Sequence, residues 1–311
     1  MTKSQPSYVS SNALGSFKSQ SKSDKTFDIV NTTLMILLFA VFVWPLLFVV
    51  SASFSDPSAV WTGKVFLFPK GFNINGYIEI MRYKDIWIGY RNTFFYTIVG
   101  TTLNLTMTIC AAYPLSRPDF VLRRPLMLLF MFTMYFSGGL IPTYLVVQKL
   151  NLLNTVWAMI IPSAVSIYNV IITRTYFENN IPDSLREAAE LDGANSLQFL
   201  LKIVLPLSGP ILAVMALYYG VGRWNSYFDA LIYLHDKKLF PLQVFLRDIL
   251  IQSKIDLDTS GLDAAQVMAK TQLAQTMKYS VIIVASVPVL CIYPFIQKYF
   301  VRGVMIGAVK G

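Results

Sequence analysis

Few side chains in this 311-residue chain could do covalent or metal chemistry, and they are scattered. His235 is the only histidine, so no Ser–His–Asp set can form around it, and no second histidine or cysteine lies near it to share a metal. Cys110 and Cys291 sit within apolar runs and read as small buried hydrophobes rather than a disulfide or a metal pair. There is no Gly-x-x-x-x-Gly-Lys-Ser/Thr phosphate loop. No carboxylate pair lies deep in an apolar run, as an ion-coupled carrier would often need. What remains is binding chemistry. Tyr219, Trp224, Asn225, Tyr227 and Asp229 combine flat rings, which can stack on sugars, with amide and carboxylate groups that bond hydroxyls. The same residues also suit an interfacial belt at the outward end of a membrane span. Tyr135, Ser137, Gly138 and Gly139 interrupt another apolar run, a pattern that marks either tight helix packing or a pathway.

These residues must be positioned by helices in a bilayer. The chain is 55% hydrophobic and 14% charged, less charge than a soluble domain of this length carries. Six runs of 19 or more residues lack charge: Ile29–Ser55, Asn92–Ser116, Pro125–Gln148, Leu150–Thr173, Ile203–Gly222 and Tyr279–Gln297. Each can cross a hydrocarbon core of ~30 Å as a helix. The expectation is an all-α integral membrane protein with spans at about 28–52, 92–114, 126–148, 156–176, 207–234 and 279–300. Together they make one six-span domain over 28–300. Residues 1–27 form a polar tail expected to be disordered, and 301–311 a short C-terminal tail. The first apolar run is too long for a cleavable signal. A net charge of +9 does not point to nucleic acid, because no basic stripe is interleaved with aromatics. Lys3, Lys18, Lys22 and Lys25, with the tight Arg117, Arg123, Arg124 loop, read as positive-inside anchors.

Between the fourth and fifth runs lies a short polar stretch, 178–205. Pro182, then Ser184 with Glu187, reads as a capping box that starts a helix. Leu185, Ala188, Ala189 and Asp192 share one face of it. Gly193 follows as a helix stop. Asn195 can begin a second short helix with Leu197, Leu200, Leu201 and Val204 on its apolar side, ended by Pro206. This is a helix–turn–helix elbow between two spans. An ordinary amphipathic helix on the membrane surface is the plainer reading of the same pattern.

The elbow resembles the EAA loop of ATP-binding-cassette importer permeases: Glu187-Ala188-Ala189, three residues to Gly193, then an apolar segment closing in Leu205-Pro206. From about Phe27 onward the chain is similar to the carbohydrate, maltose-type branch of that family. Phe136-Ser137-Gly138-Gly139-Leu140-Ile141-Pro142-Thr143-Tyr144 with Arg186-Glu187-Ala188-Ala189 and Pro241-Leu242-Gln243 looks like its LplC/YtcP branch. Arg223, just before Trp224, departs from the uncharged residue expected there.

The resemblance implies a type I importer permease, not an enzyme, in the bacterial cytoplasmic membrane with both termini inside. It implies a second homologous permease subunit, two copies of a cytoplasmic ATPase and an extracellular sugar-binding protein as partners, and an oligosaccharide as cargo. ATP and Mg would be bound by the ATPase, with no cofactor in this chain. By the same resemblance Glu187, Ala188, Ala189, Asp192, Gly193 and Ala194 couple to the ATPase. Lys310 and Gly311, in the tail Gly307-Ala308-Val309-Lys310-Gly311, reach between its two copies. The loop 235–278 reaches the binding protein. A secondary carrier or a non-transporting membrane subunit remains a rival reading. The first would show inverted repeats, and the second would not need the elbow.

Overall fold

A computed structural model of the chain describes residues 22–255, 268, 271–272, 277–294 and 297. Among the described residues the regular elements are helices. The first, α1 (Lys22–Ser53), has a mean hydropathy of 2.7 over its most apolar window, none of which is buried against the rest of the chain. A helix apolar on all sides and unburied by protein is one that lipid covers. Two short helices follow, α2 (Pro57–Trp61), capped by the Asp56 carboxylate, and α3 (Asn75–Arg82).

The centre of the fold is α4 (Lys84–Ser116). Its buried residues run Ile86, Gly89, Thr93, Tyr96, Gly100, Asn104, Thr108, Ala112 and Leu115, at steps of three or four. Small and polar residues on one stripe let neighbouring helices approach closely and bond across a bilayer. Against α4 pack α7 (Ile167–Asn180), α11 (Gly209–Trp224) and α13 (Leu242–Ile255).

Among the described residues three helices are long and apolar enough to cross a membrane: α1, α4 and α14 (Met277–Pro294). Up to five spans result if each of two bent pairs counts as one. The stretch expected to be a span at 126–148 is bent by 114° between α5 (Arg123–Tyr135) and α6 (Leu140–Lys149), through extended backbone at Phe136 and a φ of 85° at Gly139. The stretch at 156–176 begins as a 3-10 turn (Val156–Met159) and runs irregularly past Pro162 before α7. At 207–234 the helix stops at Trp224 and resumes as α12 (Phe228–Tyr233). Glycines at 138–139 and Pro162 mark the first two breaks, and the carbonyls freed around Pro162 find partners elsewhere in the bundle.

Cys110 and Cys291, expected to be buried, are both exposed and free, on the outward sides of α4 and α14. The span expected at 279–300 is described only as far as Pro294, apart from residue 297. Lys310, Gly311 and most of the loop 256–278 lie outside the described residues.

Candidate functional site

The elbow is built from α8 (Asp183–Leu191) and α9 (Ser196–Phe199), joined through Asp192–Asn195. The expected Ser184–Glu187 capping box does not form. Pro182, extended at φ −61° and ψ 142°, is itself the cap residue, so Ser184 already lies inside the helix. The second cap forms as expected and as a full box. Gln198 N donates to Asn195 Oδ1 at 2.8 Å, and Asn195 N donates to Gln198 Oε1 at 2.9 Å. Between them Gly193 holds φ +80°, a left-handed turn that a side chain would strain.

Pro206 does not end the second helix. The chain passes through a π turn (Leu200–Val204) into α10 (Leu205–Leu207) and breaks at Ser208, bending 82° into α11. Pro206 falls at the start of α10, where a missing N–H is tolerated.

The expected common face of α8 divides. Ala189 is 7% exposed and belongs, with Phe199, to the buried cluster that also holds Leu115, Phe177 and Met215. Glu187, Ala188, Asp192 and Gly193 face outward, Ala194 is half-buried, and Leu191 is 90% exposed. Leu185, 38% exposed, lies at the margin. One side of α8 is therefore anchored in the core while the other offers a short apolar and acidic ridge. Arg186 Nη1 bonds Glu190 Oε1 at 2.7 Å and stiffens the helix one turn along.

Arg117, at the end of α4, ties this elbow to the bundle. Its guanidinium lies 4.9 Å from the Tyr113 ring centre and 5.1 Å from that of Phe199 on α9. Nη1 stands 3.9 Å from the Asp183 carboxylate at the start of α8. Nε and Nη2 have no hydrogen-bond partner, so rings and one carboxylate hold a side chain only 9% exposed. Beyond the positive-inside anchor that its charge suggests, Arg117 has a packing role between two rings. The available signal was Tyr113 one helical turn before it.

A second polar group lies deeper in α4. Arg223, on α11, is buried and donates from Nε and Nη2 to Asn104 Oδ1 at 3.1 and 3.0 Å. Nη2 also reaches the carbonyls of Ile160 and Ser163 at 2.9 and 3.1 Å, and Nη1 that of Met159. Asn104 Nδ2 donates to the carbonyls of Ser163 and Ala164 at 2.6 and 2.8 Å. These are the carbonyls that the irregular stretch after Val156 leaves without helical partners. Gly100 makes room, since a Cβ there would stand 2.9 Å from Arg223 Nε.

The aromatic group at 219–229 is divided between core and surface. Tyr219 is buried with its hydroxyl 2.6 Å from that of Thr108, and Trp224 is buried with Nε1 donating to Ala285 O at 2.9 Å. An interfacial belt therefore does not describe Tyr219, Arg223 or Trp224. Asn225 and Tyr227 are exposed, and Asp229 is half-buried. Tyr135, Ser137, Gly138 and Gly139 are exposed at the α5–α6 bend. The two regions approach through Tyr144 of α6 and Tyr233 of α12, whose rings stack 6.3 Å apart.

Residues 11–306 match the family described as "Binding-protein-dependent transport system inner membrane component". The chain belongs to this family. The permease is thus a membrane component of an ATP-binding-cassette importer, a transport subunit and not an enzyme, and works with a partner permease, an ATPase and a solute-binding protein. It is 41% identical over 289 residues to the polygalacturonan/rhamnogalacturonan transport system permease protein YtcP of Bacillus subtilis, covering 93% of this chain and 99% of that one. It is 38% identical to Protein LplC of the same organism, covering 93% and 97%. Among solved structures it is similar to a chain of a bacterial ABC transporter involved in the import of the acidic polysaccharide alginate. There the TM-score is 0.80 at 35% identity, with 91% of this chain and 99% of that one covered.

Proposed function

We propose that the permease forms half of a heterodimeric pore for oligosaccharides of acidic sugars, driven by two copies of a cytoplasmic ATPase and fed by an extracellular binding protein. The observation that carries the coupling role is the elbow itself, whose inner side is locked into the core at Ala189 and Phe199 while Glu187, Ala188 and Leu191 stand free. An exposed leucine beside small and acidic residues suits insertion into a groove on another protein.

Six spans put both termini and the elbow on one side, and an elbow that meets a cytoplasmic ATPase makes that side the cytoplasm. The two bent pairs and the broken stretch before α7 then serve as discontinuous spans. Lys310 and Gly311 extend the ATPase contact, and the loop 235–278 meets the binding protein. ATP-driven closure of the ATPases pushes the elbow. Phe199 and Asp183 carry that push to Arg117, and α4 carries it to Asn104 and Arg223, where the irregular stretch borders the path. Exposed Asn225, Tyr227 and the residues Tyr135–Gly139 line that path. Tyr219, Trp224 and Asp229 support it from behind.

The acidic cargo rests on two relatives, one named for galacturonate polymers and one for alginate. It also rests on charge. Exposed Arg91, Lys237 and Lys238 gather at the end of α4 remote from the elbow, where Asn92 Nδ2 donates to Lys238 O at 2.7 Å. A basic mouth raises the local concentration of an anionic solute. The test is ATPase activity of the reconstituted complex with binding protein loaded with oligogalacturonides or with neutral oligosaccharides. Stimulation by the acidic cargo supports the reading. Stimulation by neutral cargo alone overturns the substrate class, and failure of any ATPase to co-purify overturns the coupling role.

A further inference from the structure

Beside the elbow, the 117–124 turn, the first turns of α5, and α7 enclose a cavity of about 600 Å³. Its lining combines the basic Arg123, Arg124 and Arg174 with the apolar Phe120, Met127 and Leu128. Glu178 is shared by two of the arginines, accepting from Arg123 Nη2 at 2.8 Å and Arg174 Nη2 at 2.7 Å. One carboxylate against three guanidinium groups leaves a surplus of two positive charges, and Arg124 makes no ion pair with the described residues. Leu128 is 64% exposed, while Met127 and Phe120 pack into the core, so the apolar lining is open outward at Leu128.

We infer that this crevice holds an anionic glycerophospholipid, its phosphate against Arg124 and the unused edge of Arg123, an acyl chain along Leu128. A basic pocket at the end of membrane helices with an apolar lining beside it matches the two halves of such a lipid. The inference rests on the membrane placement of the chain, and is independent of the elbow meeting an ATPase.

The test uses the assembled importer in lipid nanodiscs with photoactivatable phosphatidylglycerol or phosphatidylcholine, and locates the label by peptide mass spectrometry. The expected result is phosphatidylglycerol label in the peptides around residues 118–131, several-fold above phosphatidylcholine. Arg124→Gln should lower that ratio about fivefold, the equivalent of ~1 kcal/mol for one basic residue near an anionic headgroup, while Arg124→Lys keeps most of it. Because the readout is a ratio of two probes in one preparation, an assembly defect cancels. Equal labelling by both lipids would reduce the site to an apolar groove. Displacement of the label by excess inorganic phosphate would make it a soluble-anion site. Cross-linking of this segment to the second permease would make it a subunit contact. Each of these outcomes overturns the inference. ATPase co-purification, read in the same sample, tests the coupling role separately.

Discussion

Asn104 on α4 uses both ends of its amide to hold one cluster: Oδ1 accepts from Arg223 Nε and Nη2, and Nδ2 donates to the carbonyls of Ser163 and Ala164. Asn104→Leu removes an acceptor from a buried guanidinium and a donor from two freed carbonyls. A hydrogen bond to a buried charged group is worth about 1.5–3 kcal/mol, and the guanidinium keeps its carbonyl acceptors at Met159, Ile160 and Ser163. The expected outcome is a drop in the melting temperature of the solubilised permease, read by fluorescence-detected size exclusion. A melting temperature equal to wild type would mean that the cluster does not hold the bundle.

Gly100 is coupled to the same arginine by contact. Gly100→Ala forces Arg223 off its partners, at about 1–3 kcal/mol for overpacking. In an Arg223→Ala background the added methyl has free space, and the penalty should largely vanish. Full additivity of the two substitutions in thermal unfolding would show that Gly100 is not there for Arg223.

Arg117→Leu keeps the bulk between Tyr113 and Phe199 but removes the charge facing Asp183. The ATPase should still co-purify, since Leu191 and Ala188 remain exposed. Stimulation of ATP hydrolysis by loaded binding protein should fall by about tenfold or more, the scale of a lost coupling free energy of 1–3 kcal/mol. Unchanged stimulation would remove Arg117 from the transmission route.

Leu191→Ser alters a side chain that the isolated permease leaves in the open. Its thermal stability should stay within about 0.5 kcal/mol of wild type. Its affinity for the ATPase should fall about tenfold or more, as for a central apolar contact in an interface. Equal affinity would place the docking ridge elsewhere on the elbow.

Gly193→Ala tests the turn between the two helices. A Cβ at φ +80° meets no neighbouring atom, so the penalty is backbone strain of roughly 1 kcal/mol, and Gly193→Asn should restore much of it. Loss of ATPase affinity with Ala but retention with Asn identifies the turn. An identical effect of both substitutions points to a need for the absent side chain instead.

That the chain carries membrane-crossing helices was legible from the sequence alone, because hydropathy over a 20-residue window depends on composition and needs no partner. α1 and α4 appear where the runs of uncharged residues put them. The elbow was legible for a similar reason: the Gly193 stop and the Asn195 helix start are local devices, settled within four residues of chain, although the Ser184–Glu187 box read there does not form. The bends were not. Gly138, Gly139 and Pro162 mark places where a helix can break, but whether a span straightens or folds back depends on what its freed carbonyls find. Here Asn104 and Arg223, 59 or more residues away in sequence, take the carbonyls near Pro162. Arg117 likewise carried only a charge at the end of an apolar run. Only the packing of α9 onto the end of α4 placed it between two rings, and only that packing divided α8 into an anchored side at Ala189 and a free ridge at Leu191. Those contacts join residues distant in the chain, and no local pattern encodes them.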